Sequence, residues 1–183
     1  MRIITGSARG VRLETLEGET TRPTPERVKE AVFSAIQFDL VGKRFLDLFA
    51  GSGQMGLEAV SRGAALAVLV DEDAGAVQII KNNAKKAKLF EKCRVSNISY
   101  TAFLRGAAGK ETFDFIYLDP PFLTGQTFRM SVRVGEADWK NMSGSVHVPT
   151  FQDCRDAAQY FATMERVLKA SHKLLKDEGA LFV

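Results

Sequence analysis

Apolar residues along this chain gather into short runs set between longer amphipathic stretches. Runs at Arg44 to Phe49, Leu66 to Val70, Arg94 to Ile98 and Phe113 to Leu118 have strand length and no helical period. Between them, periodic stretches predict helices over Met55 to Arg62, closed by Gly63, over Ala74 to about Lys88, and over Tyr100 to Leu104. Upstream, Glu26 to Phe38 places Val28, Ala31, Val32, Ala35 and Ile36 on one helical face, with Thr24 as its cap and Pro25 at the first turn. Strand and helix thus alternate at the spacing of βαβ units, which predicts an α/β fold with a doubly wound, mostly parallel sheet. Met1 to Leu13 alternates around glycines and predicts a small hairpin or extended arm. Leu123 to Gln159 is polar, shows little period and predicts a long loop, which in a compact domain is usually functional or disordered. After it, Tyr160 to Lys176 predicts a helix burying Phe161, Met164, Val167, Leu168, Leu174 and Leu175. Asp177-Glu-Gly then turns the chain into a last strand, Ala180 to Val183.

Size and charge narrow the picture only a little. With 183 residues, 45% of them hydrophobic, the chain can bury one core. We read residues 1–43 as a basic arm and helix, and 44–183 as one further domain in which 123–159 form a long loop. No apolar run approaches the ~20 residues of a membrane span, so no membrane partner and a cytoplasmic location are expected. Cys93 and Cys154 are too few and too distant for a disulfide framework, and His147 and His172 lack partners at ligand spacing, so no metal is expected. A net charge of +3 permits a nucleic-acid partner. Arg2, Arg9 and Arg12 suit a phosphate backbone, as do Arg22 and Arg27 around a helix start, although a solvated hairpin packed on the domain fits the arm as well. Lys81, Lys85, Lys86, Lys88, Lys92 and Arg94, against Glu91 alone, read as a solvated helix face.

Two stretches carry candidate chemistry. The strand ending in Tyr-Leu delivers Asp119 to its carboxyl end, and Pro120 and Pro121 stop it there. A carboxylate, a free carbonyl and the ring of Phe122 suit a planar exocyclic amino group, whose two N–H bonds need two acceptors and whose π system can stack. Taken alone, the same residues also describe a strand ending in a capped turn. The second stretch, Gly51-Ser-Gly-Gln-Met-Gly, follows a strand, and Asp71 stands about 20 residues beyond its first glycine. That spacing fits a nicotinamide dinucleotide, but Asp47 before the loop would face an anionic pyrophosphate. S-adenosylmethionine carries an ammonium and a sulfonium and no phosphate, and a carboxylate there attracts it. Gly51 and Gly53 would let the backbone approach the cofactor, Asp71 would accept from its ribose, and Asp47 and Phe49 would shape its methionine end.

Met1-Arg-Ile-Ile-Thr-Gly, Thr21-Arg-Pro-Thr-Pro-Glu-Arg-Val-Lys-Glu-Ala-Val-Phe, Leu46-Asp-Leu-Phe-Ala-Gly-Ser-Gly, Gly56-Leu-Glu-Ala-Val-Ser-Arg-Gly-Ala and Leu118-Asp-Pro-Pro-Phe together resemble the RsmD family. These are bacterial methyltransferases of a guanine N2 in 16S ribosomal RNA. The resemblance runs from Met1 to about Phe122. It implies a Rossmann-like S-adenosylmethionine-dependent methyltransferase fold, a substrate of 16S rRNA or an assembling small subunit, and a monomer or weak dimer. It also implies a catalytic motif at Asp119, Pro120, Pro121 and Phe122, and a cofactor site at Asp47, Phe49, Ala50, Gly51, Ser52, Gly53, Asp71, Glu72, Asn97 and Ser99. Phe122 stands where the family usually has Tyr, and Asn97 and Ser99 lie where an acid is expected. The tail after Phe122 is more similar to DNA amino-methyltransferases, and without the family's final hairpin a sheet edge is expected to be exposed. Adenine N6 or cytosine N4 in DNA is therefore an alternative substrate, and an RNA-binding protein without catalysis a second alternative.

Overall fold

The structure, a computed structural model, describes residues 1–15, 24–120, 127–133, 145–152 and 157–183, with backbone alone in 127–133 and 145–152. It divides into two compact units, residues 1–120 with 165–183, and residues 121–164.

The larger unit is built on a five-stranded sheet of β1 (Arg44–Asp47), β2 (Leu66–Asp71), β3 (Cys93–Asn97), β4 (Phe113–Tyr117) and β7 (Leu175–Phe182), in the order β3-β2-β1-β4-β7. Every pairing in it is parallel. Parallel neighbours need crossovers, which α2 (Gln54–Ser61), α3 (Ala74–Lys86) and α4 (Tyr100–Ala107) supply. Successive strand residues point to opposite faces, so Ala67 and Leu69 pack with Leu57 of α2 and Ile80 of α3, while Val68 and Val70 pack with Phe103 and Leu104 of α4. Strand order reverses between β1 and β4, and in open α/β sheets the crevice at such a reversal, beyond the carboxyl ends of the strands, takes the ligand.

Residues 1–13 form the expected hairpin, with Arg2 bridged to Arg12 and the Ile3 amide donating to the Val11 carbonyl at 3.0 Å. Its Ile3, Ala8 and Leu13 are buried against α2 and α3. Helix α1 (Glu26–Ala35) is shorter than its sequence suggested, and its inward face differs: Lys29 and Phe33 are buried whereas Val28 is exposed. The reason lies in another element, because Glu58 of α2 offers a buried carboxylate 3.8 Å from the Lys29 ammonium.

The long loop expected over 123–159 does not hold at 127–133 and 145–152, which are strands. These are β5 (Thr127–Arg133) and β6 (Ser145–Gln152), an antiparallel pair in the second unit. The alternation of Phe128, Met130 and Val132 with polar residues is the period-two signal that marks such a strand. Helix α5 spans Ala157–His172 and buries Val167 and Ser171, while Phe161 and Leu168 are exposed, so the predicted face was too wide. Strand β7 begins before the predicted turn and runs through Asp177-Glu-Gly with a register irregularity against β4. Among the described residues no helix is long and apolar enough to cross a membrane.

Candidate active site

Strand β1 ends at Asp47, and the chain then turns through Leu48 to Gly53 before α2 begins. Gly51 (φ 53°) and Gly53 (φ 78°) are both left-handed, a conformation that L side chains rarely adopt. Gly53 faces inward, where a Cβ would lie 3.1 Å from Leu69 and Ile80, and Gly51 faces open space. Three amides of the turn and of the first turn of α2 already have partners. Gly51 N–H donates to Asp71 Oδ2 at 2.8 Å, Gly56 N–H to Asp47 Oδ2 at 3.1 Å, and Gly53 N–H to the Ala50 carbonyl at 2.7 Å. In a dinucleotide site such amides face the pyrophosphate. Here two of them face carboxylates, so the turn presents negative charge and suits a cation.

Three acids therefore share the carboxyl edge of the sheet. Asp47 is almost fully buried, and burial, reinforced by the Asp119 and Asp71 charges, pushes its carboxyl up to about 7 against the pull of the Gly56 N–H. Burial also raises Asp71, opposed by the amides of Asp73 and Gly51. Asp119 is raised by burial and drawn down by the Thr24 hydroxyl.

The neighbours of Asp71 are structural as well as acidic. Asp73 caps α3 by accepting from Gly75 and Ala76 amides. Asn97 Nδ2 donates to the carbonyls of Asp71 and Glu72 at 3.2 and 3.0 Å, tying the end of β3 to the turn after β2. Ser99 caps α4 through the Ala102 amide. The Phe49 ring packs 5.2 Å from that of Tyr100, which the sequence reading did not single out. Ser52 joins the turn to the hairpin and α3, since its hydroxyl donates to Met1 Sδ at 3.8 Å and its carbonyl accepts from Asn83 Nδ2 at 3.0 Å.

Thr24 does not cap α1. Pro25 occupies the cap position without a side-chain bond, and Thr24 Oγ1 donates to Asp119 Oδ2 at 3.0 Å. Pro120 is buried beside Asp119. Pro121 and Phe122 lie outside the described residues, as does Arg22. Tyr117 ends β4 two residues before Asp119, and its phenol is pushed up to about 12 by burial and by the Asp119 charge, against the pull of a hydrogen bond with Thr24. Thr24 and Gln54 carry no family of reactive groups in the sequence, and the signal that could have singled them out is only their place beside the two motifs.

The basic residues are dispersed. Arg2, Arg9, Arg12 and Arg27 are exposed, and Arg2 lies 3.7 Å from Glu26. Lys85, Lys86, Lys88 and Lys92 are exposed at the end of α3 and the turn after it, where the chain enters β3, opposite the edge that carries the acids.

A parallel sheet reversing at β1 and β4, with a glycine turn lined by acids at the reversal, defines a Rossmann-like methyltransferase fold. The same fold occurs in an S-adenosylmethionine-dependent methyltransferase from Agrobacterium tumefaciens, at 19% identity and a TM-score of 0.61 over 88% of this chain and 44% of that one. Residues 1–172 match the family described as Conserved hypothetical protein 95, past the Phe122 at which the motif resemblance ends. The chain belongs to this family, that of RsmD. It is 34% identical to ribosomal RNA small subunit methyltransferase D of Haemophilus influenzae over 84% of this chain and 80% of that protein. It is 42% identical to the Escherichia coli protein of the same name over 68% of this chain, but spans only 62% of that protein's length. A solved structure of a hypothetical protein from Thermus thermophilus aligns over 99% of this chain and 83% of its own, with 30% identity and a TM-score of 0.70.

Proposed function

We propose that this chain transfers a methyl group from S-adenosylmethionine to the exocyclic N2 amino group of a guanine in 16S rRNA, as naked RNA or in an assembling small subunit. The observation that carries the reading is the gathering of Asp47, Asp71 and Asp119 around an open glycine turn at the switch point of the sheet. Anionic lining with its amides already engaged fits a cationic cofactor, and the open side of Gly51 leaves room for one. Asp47, Phe49, Ala50, Gly51, Ser52 and Gly53 would hold its amino-acid end, and Asp71 and Glu72 its ribose, with Asn97 and Ser99 at the adenine side. When bound, the cofactor supplies an electrophilic methyl group.

The substrate amine is a weak nucleophile because its lone pair is delocalised into the base. Asp119 and the Pro120 carbonyl would accept its two N–H bonds and stabilise the positive charge that develops on nitrogen as the new N–C bond forms. The nitrogen then loses one proton, and the Asp119 carboxylate is the acceptor at hand. Phe122 would stack on the flipped base, and Arg2, Arg9, Arg12, Arg22 and Arg27 would hold phosphates.

The test is transfer of labelled methyl to small-subunit particles lacking the modification, with duplex DNA as parallel acceptor. Label is expected at guanine N2 in the RNA. Asp119→Ala should lower transfer by roughly 100-fold or more while cofactor binding persists. Label in DNA alone, or in neither acceptor, overturns the reading.

A further inference from the structure

Asp119 is a half-buried carboxylate with no cation against it among the described residues. The charged or titratable groups that face it are Asp47 at the end of β1 and Tyr117 at the end of β4, and neither stabilises its ionised form. Thr24 is the donor that does, from a position 95 residues away in sequence. A threonine hydroxyl has one proton to donate, so the bond at 3.0 Å engages Oδ2 and leaves Oδ1 for a substrate N–H. Thr24 is itself held, because its carbonyl accepts from Gln54 Nε2 at 3.3 Å. Gln54 is buried and begins α2 immediately after Gly53. One chain of contacts thus joins the glycine turn to Asp119 through Thr24.

We infer that Thr24 is a positioning residue for the methyl-transfer step, orienting the Asp119 carboxylate so that Oδ1 meets the substrate amine and keeping that carboxylate ionised beside Asp47. This rests on the proposed role of Asp119. Two acids on one edge, Asp47 and Asp119, compete to hold a proton, with Asp71 adding its charge to the Asp47 side. A hydroxyl bonded to Asp119 favours the charged form of that acid and so directs the proton to Asp47. Thr24→Val keeps the shape and removes the donor, and Thr24→Ser restores it.

The experiment has two readouts on the full chain. Single-turnover methyl transfer to small-subunit particles is followed against pH, and the Asp119 carboxyl carbon is titrated by NMR in protein labelled at aspartate, assigned with Asp119→Asn. Thr24→Val is expected to reduce transfer by about 10-fold or more near neutrality. The acid limb of its profile should move to higher pH, and so should the Asp119 titration midpoint, with cofactor affinity unchanged. Thr24→Ser should restore both. A Thr24→Val protein with the wild-type titration midpoint sinks the inference, whatever the acceptor turns out to be, and so does a Thr24→Ser protein as impaired as the valine variant. If the midpoint moves and serine restores it, yet wild-type protein labels no RNA, the coupling of Thr24 to Asp119 stands and the assigned reaction fails.

Discussion

Asp47 and Asp114 are both buried acids, and their surroundings drive proton affinity in opposite directions. Burial works to raise Asp114, but the Arg44 amide at 2.9 Å and the Lys176 ammonium at 2.9 Å hold it below its ordinary value. Asp47 has one amide and two neighbouring acids, and rises to about 7. Its folded value lies above its unfolded value of 3.8, so its contribution to stability is full below pH 3.8 and is lost as pH rises through about 7. Asp47→Asn should therefore stabilise the free protein at pH 8 by roughly 2–4 kcal/mol at most, and by little at pH 4. Denaturant unfolding at the two pH values checks this. The same variant should bind S-adenosylmethionine weakly, whereas wild-type affinity should climb as pH approaches about 7, where Asp47 becomes charged, and level off above it. The sequence pointed to Asp47, Asp71 and Asp119 because motif spacing names them. It misassigned Thr24, since a threonine before a proline at a helix start has a local role available, and only the fold brings Asp119 within reach of its hydroxyl.

At the scale of elements, the hairpin is fixed to α2 at two points, the Ser61 hydroxyl and carbonyl, which bond Thr5, Ser7 and Ala8, and the buried carboxylate of Glu58. Glu58 accepts from the amides of Ile4 and Thr5 at 2.8 and 3.0 Å and from Arg62 Nε at 2.8 Å, and faces Lys29. Lys29 in turn donates to the Arg2 carbonyl at 2.7 Å. Both side chains of the pair are fully buried. Glu58→Ala leaves the lysine charge and two amides without their acceptor, and should cost about 3–5 kcal/mol in denaturant unfolding. Lys29→Met should cost less, because Glu58 keeps Arg62 and both amides. Equal losses for the two variants would mean that the ion pair, not the carboxylate, secures the hairpin. The amphipathic reading of α1 went astray here for a physical reason: a residue's polarity sets its face only when no buried partner of opposite charge is waiting. The predicted face of α5 was too wide for a simpler reason, since apolar residues are often left exposed and Phe161 and Leu168 are among them.

For the whole molecule, the site proposed for the cofactor and substrate lies where strand order reverses, and its residues come from the ends of β1 and β2, the turn after β4 and Thr24 ahead of α1. A ligand bound there touches segments that are distant along the chain, so it should stabilise the larger unit as one body. S-adenosylmethionine at a hundredfold excess over its Kd should add about 2.7 kcal/mol and raise Tm by roughly 5–10 °C, read by thermal unfolding. A reduced nicotinamide dinucleotide should give no shift, because the turn amides it would need face Asp47 and Asp71 instead. A shift with the dinucleotide and none with the methyl donor would reverse the choice between the two cofactors.

The sequence by itself determined the alternation of strand and helix, the glycine turn and the positions of the acids at strand ends, because these depend on local period, backbone freedom and spacing. It did not reveal β5 and β6, whose alternation was short and lay within a polar stretch, nor the full extent of β7 across Asp177-Glu-Gly. Only the tertiary structure decided the strand order, the buried pair of Lys29 with Glu58, and the bond from Thr24 to Asp119. Each of these depends on partners far apart in sequence, and burial makes an unpartnered charge or hydroxyl costly enough to override what its neighbours along the chain prefer.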